Sequence, residues 1–119
     1  MASTKRFETI EPSKVVPTEI YERNLDNETL KWLSKQKPSN IPGVDLVIDP
    51  DTKVKYLIEG HMRRINALQN NYSLNVRRII SSEADFQRYR GFTSRLGNFD
   101  SFKGLLKTIK EMAINPPTY

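Results

Sequence analysis

The stretch from Asp49 to Tyr72 constrains the fold most, because it joins a helix-start signal to the longest regular apolar spacing in the chain. Asp49 can accept a backbone N–H as an N-cap, Pro50 suits a first helical position, and Asp51 meets the positive end of a helix dipole. Val54, Leu57, Ile58, Met62, Ile65, Leu68 and Tyr72 then recur at three- and four-residue spacings, which puts them on one helical face with Arg63 opposite. The pattern predicts that the longest helix starts at Asp49 to Asp51 and ends near Asn70.

Punctuation divides the rest. Pro38, Pro42 and Gly43 oppose a helix across residues 37–43, which marks the best internal boundary. Before it, Asp26 can cap a turn whose Leu30 and Leu33 face one way and Trp32 another. After it, Val44 to Ile48 is an apolar run that fits one short strand or a buried loop. Ser73 can cap a short helix through Ile80, although Val76, Ile79 and Ile80 also suit a strand. Ser81 or Ser82 can cap a piece containing Phe86 and Tyr89. Asp100 can cap a last helix with the stripe Phe102, Leu105, Leu106, Ile109 and Ala113, which Asn115-Pro116-Pro117 stops.

These readings predict a mainly α-helical single domain of three to five helices. An extended N-terminal arm would occupy residues 1–17, a short helix and Pro/Gly loop residues 18–43, a helical core residues 44–114, and a Pro-rich tail residues 115–119. A chain of 119 residues suits one core, and its 37% hydrophobic content is low enough to leave part of the length outside that core.

Charge supplies the main functional signal. Residues 1–52 carry 7 Lys/Arg and 9 Asp/Glu, and residues 53–119 carry 12 and 5, so a slightly acidic half precedes a strongly basic one. Such asymmetry points to phosphates or acidic partners. The densest group is Arg88-Tyr89-Arg90-Gly91-Phe92-Thr93-Ser94-Arg95, where guanidiniums that match phosphate oxygens alternate with rings that can stack on bases. Arg63, Arg64, Arg77 and Arg78 add two basic pairs, and Lys103, Lys107 and Lys110 share one side of the last helix.

Catalytic and metal chemistry find little support. His61 is the only histidine, lies within the apolar stripe and reads as a packed side chain. Asp45, Asp49 and Asp51 lack the spacing of a calcium loop, and no phosphate-cradling glycine motif occurs. The expectation is therefore a non-enzyme without metal or cofactor. Zero cysteines, no apolar run of membrane-spanning length and no apolar leader within Met1 to Ile10 suggest an intracellular protein without a membrane partner.

Two functions fit. One is a structural or adaptor subunit of a larger protein or nucleoprotein assembly, such as a virion particle. It would dock on other subunits or on itself through Phe7, Ile10, Val15, Val16 and Trp32. The other is a nucleic-acid-binding module that uses the basic half for phosphate contacts with little sequence preference.

Overall fold

A computed structural model describes residues 8–18, 27–93 and 97–113. Its centre is a mixed sheet rather than a helix bundle. Among the described residues the strands are β1 (Thr9–Ile10), β2 (Val15–Val16), β3 (Val44–Ile48), β4 (Lys55–Glu59) and β5 (Leu74–Ile80). The helices are α1 (Asn27–Ser34), α2 (His61–Asn70), α3 (Glu83–Arg88), α4 (Arg90–Thr93) and α5 (Phe102–Met112). The strand order is β1-β5-β3-β4-β2. β3 pairs antiparallel with β4 and parallel with β5, while β1 joins β5 antiparallel and β2 joins β4 parallel.

The mainly helical fold expected from the sequence is thus incorrect: this is a small α/β fold. The error centres on Asp49-Pro50-Asp51. Asp49 Oδ1 does accept the N–H groups of Asp51 (2.9 Å) and Thr52 (3.4 Å), but the turn it caps belongs to the β3–β4 hairpin. Lys53 then takes a positive φ of 65° and donates its N–H to the Asp49 carbonyl, reversing the chain into β4. Asp and Pro initiate turns by the same chemistry that starts helices. Leu57 and Ile58 mimic a helical stripe because both faces of the sheet are covered. Leu57 packs against the α2 side and Ile58 against the α5 side.

Strand β5 replaces the helix expected over residues 73–80, in keeping with the preference of Val76, Ile79 and Ile80 for a pleated, buried surface. The extended arm is also replaced where the chain is described. Val15 is buried, and both β1 and β2 belong to the sheet. Residues 1–7 and the tail beyond Ala113 lie outside the described residues.

β1 and β2 sit on opposite edges, yet only Glu11–Lys14 joins them, with Pro12–Lys14 wound into a 3₁₀ turn. Five flat strands would set those edges about 19 Å apart at ~4.8 Å per strand, more than this coiled link can reach. The sheet therefore curls towards a barrel. The buried Arg64 of α2 donates Nε–H to the Pro12 carbonyl (3.3 Å), so α2 lies on the side towards which the edges curl. There Val15, Val44, Leu46, Leu57, Ala67, Leu74 and Val76 form one core. On the outer face, Val47, Tyr56, Ile58 and Ile80 pack against Phe86 of α3 and Phe102, Leu105 and Ile109 of α5. Ser82 and Ser101 cap α3 and α5, the latter one residue beyond the expected Asp100.

Gly60 makes the turn from β4 into α2 at φ 107°, and a Cβ there would stand 2.4 Å from Val44 Cγ1. Replacing it combines backbone strain with overpacking, each worth about 1–3 kcal/mol. Gly60→Ala is expected to destabilise the fold by ~3 kcal/mol in urea denaturation. Gly91→Ala, which meets nothing within 4 Å, should be neutral or mildly stabilising.

Candidate nucleic-acid interface

Asp45 interrupts the apolar run of β3 and is 3% exposed, so its charge needs close partners. An irregularity in the sheet on one side of Asp45 supplies them, and a second lies on the other side. Val44 faces Val76 but Asp45 faces Arg78, leaving Arg77 as an extra residue in β5. On the other side Asp45 faces Glu59 while Leu46 faces Leu57, leaving Ile58 extra in β4. Consecutive strand residues normally point to opposite faces, and the bulge removes that restriction for Arg77 and Arg78.

Both arginines consequently reach one carboxylate. Arg77 donates Nε–H to Asp45 Oδ1 (3.1 Å) and Nη2–H to Oδ2 (2.8 Å), and Arg78 donates Nη1–H to Oδ2 (3.1 Å). The Asp45 hydrogen bond holds Arg77 above the ordinary guanidinium range. Gly43 admits the bulge, because a Cβ there would lie 2.6 Å from the Arg77 nitrogen. From the start of α2, Arg63 donates Nη1–H to the Gly43 carbonyl (3.2 Å). Burial pulls Arg63 below its ordinary range, Glu59 opposes that shift and Arg77 adds to it.

Aromatic rings from the α3–α4 turn and from α4 complete the group. The Arg78 guanidinium carbon lies 3.4 Å from the Phe92 ring centre and 5.9 Å from that of Tyr89. Tyr89 meets Phe92 edge-on at 6.2 Å, and Arg88 stands 6.0 Å from the Tyr89 ring. Four guanidiniums, from Arg63, Arg77, Arg78 and Arg88, thus share a neighbourhood with the carboxylates of Asp45 and Glu59, an excess of two positive charges. Phe92 remains 48% exposed, and the Arg77 side chain 40%.

Of the basic and aromatic residues singled out in the sequence, Arg63, Arg77, Arg78, Arg88, Tyr89 and Phe92 come together. The others are dispersed. Arg64 is buried against the turn between β1 and β2. Arg90 donates to the Phe99 carbonyl (3.0 Å) and faces Asp100. Lys110 pairs with Asp49 at 2.6 Å, just past the end of β3 and four residues from Asp45, and so about 13 Å away. Lys103 and Lys107 lie exposed on α5. Among the residues expected to dock on proteins, Val15 is buried in the core on the α2 side with Ile10 packed against it, Val16 packs against the core on the outer face, and Trp32 on α1 is 59% exposed. Phe7 and Arg95 lie outside the described residues.

Sequence reasoning missed Asp45 and Glu59 as partners of the arginines. The available signal was a lone carboxylate inside an apolar strand, since such a group is rarely buried without a counter-ion. Among the described residues no three His, Cys, Asp or Glu side chains gather as a metal site would require. No described helix is long and apolar enough to cross a membrane. Comparisons with protein-family models, curated proteins and solved structures find no match for this chain.

His61, at the start of α2, is buried and accepts the Thr18 backbone N–H on Nε2 (3.2 Å). Desolvation first, and then Arg64, lowers its pKa from 6.5 to about 3, so the folded chain holds a neutral imidazole. At the other end of β3, Lys110 and the N–H groups of Asp51 and Thr52 hold Asp49 down to about 2, against the cost of burial.

Removing Asp45 would leave two crowded, partly covered guanidiniums without their counter-ion. Asp45→Ala is expected to cost ~2–4 kcal/mol in chemical denaturation, towards the low end because Arg77 is half open to water. The pH profile has a definite sign. Between pH 6.5 and about 3 the unfolded chain binds a proton at His61 that the folded chain excludes, so stability falls as the medium is acidified. The slope approaches ~1.4 kcal/mol per pH unit. Asp49 contributes stability above its ordinary pKa of 3.8, lost as pH falls through about 2. Thermal unfolding across pH should therefore show His61→Gln flattening the limb between pH 6.5 and about 3, and Asp49→Asn lowering stability above pH 3.8 while removing the further loss between there and about pH 2.

Proposed function

We propose that this chain is a non-catalytic nucleic-acid-binding module that holds the phosphate backbone at the arginine cluster between β5, the start of α2 and the α3–α4 turn. The observation that carries this reading is the double bulge at Asp45. It gathers Arg77 and Arg78 on one carboxylate beside Arg63 and Arg88, with net positive charge next to an exposed aromatic ring. Guanidinium forks suit phosphate oxygens, and Asp45 holds Arg77 and Arg78 in place, which limits the entropy lost on binding.

Phosphate contacts position a strand without reading bases, so binding should show little sequence preference and strong dependence on salt. A second reading, as a subunit of a larger assembly, rests on the exposed Trp32 of α1.

Fluorescence anisotropy with labelled oligonucleotides tests the main reading. Arg77→Gln and Arg88→Gln should each weaken binding about tenfold at low salt, and each should reduce the slope of log affinity against log salt by about one. Arg78 remains to neutralise Asp45 in the first variant, and Arg88 is exposed, so both proteins should stay folded. Unchanged affinity and slope in both variants would remove the cluster from consideration.

A further inference from the structure

The basic cluster alone does not discriminate between duplex and unpaired nucleic acid, but Phe92 does. One face of its ring is covered by the Arg78 guanidinium at 3.4 Å, and Tyr89 meets it edge-on at 60°. Nearly half of the residue nevertheless remains exposed, although Arg78 lies over the ring and Tyr89 packs beside it. Arg78 is itself held by Asp45 Oδ2, and its side chain is only 18% exposed, so it braces the ring. The local helix is pinned as well: Phe92 N–H bonds to the Tyr89 carbonyl, and the Thr93 hydroxyl donates to the Arg90 carbonyl (3.0 Å). A braced aromatic ring with this much exposed surface is suited to serve as a stacking platform.

Such a platform fits an unpaired base. In a duplex each base is covered above and below by its neighbours, whereas a single strand can splay a base onto an aromatic side chain. The exposed Arg77 and Arg88 are linked to the ring's neighbours, Arg77 through the Asp45 carboxylate it shares with Arg78 and Arg88 through Tyr89, and can supply phosphate contacts to a stacked nucleotide. Arg88 and Phe92 stand on the short α3 and α4 and Arg77 and Arg78 on β5, whereas duplex readers usually present a longer helix or ribbon to a groove.

We infer that the cluster takes single-stranded nucleic acid, with one base stacked on Phe92 and its phosphates on Arg77 and Arg88. This rests on the phosphate-binding reading above and adds the class of strand. All π-faces are acceptable to a phenyl ring, so the preference is for unpaired strands rather than for a sequence.

The intact chain would be titrated against a labelled single strand of roughly 12 nucleotides and against the matching duplex, with Phe92→Ala, Phe92→Leu and Phe92→Trp compared to the parent. The single strand should bind at least about tenfold tighter than the duplex. Phe92→Ala and Phe92→Leu should both lose roughly 5- to 150-fold for the single strand, the range expected for one stacked base, with little change for the duplex. Phe92→Trp should retain or increase single-strand affinity. Leucine keeps an apolar cover over Arg78 without a π-face, so it separates lost stacking from lost bracing. Equal affinity for both forms, or no loss in the alanine and leucine variants, would overturn this inference and leave the phosphate-binding reading standing. Failure of the parent chain to bind either form would overturn both.

Discussion

A carboxylate in the middle of a five-stranded sheet must be neutralised where it stands, and Asp45 organises much of this molecule in meeting that requirement. Its two arginines come from adjacent positions on one strand, an arrangement that regular pleating forbids. The bulge at Arg77 makes it possible, and Gly43 leaves room for the bulged backbone. A second bulge at Ile58 relieves the other side of the same residue. Bulges increase local twist, so a pair of them on both flanks of the central strand favours the curl that closes the sheet. The ion cluster and the shape of the fold are therefore coupled.

The curl in turn explains the covering layers. With only a coiled four-residue link between strands on opposite edges, the sheet wraps around the side occupied by α2, and Arg64 ties that link to the helix. The outer face is left to α3 and α5, whose aromatic and aliphatic residues complete a second core. Both sheet faces are dry, which is why β3 and β4 read as nearly continuous apolar runs. The interior histidine follows the same logic, since burial beside Arg64 disfavours its charged form.

Charge left over from neutralising Asp45 faces outward beside Phe92. A guanidinium stacked on a ring and clamped by a buried carboxylate loses little freedom when a ligand arrives, which is the physical advantage of building the proposed site on strand and helix rather than on a loose loop. Lys110, spent on Asp49, takes no part in it, and the basic half of the chain does not act as one uniform surface.

Several elements were legible in the sequence. The helix end near Asn70, the serine cap before Phe86 and the amphipathic last helix rest on local chemistry and spacing, and the structure contains them. Asp49 was legible as a capping residue but not as a hairpin residue, because its hydrogen bonds are the same in either setting. Leu57 and Ile58 looked helical because a strand buried on both faces loses the alternation that identifies it. Charge density also came from the sequence alone, along with the residue types able to bind phosphate. Which arginines meet depended on long-range pairing: Arg77 and Arg78 find Asp45 more than thirty residues away only after β5 aligns with β3 and one residue is extruded from the ladder. Local sequence determined caps, turns and charge, whereas tertiary structure decided strand against helix and assembled the cluster, because burial and register are properties of partners distant along the chain.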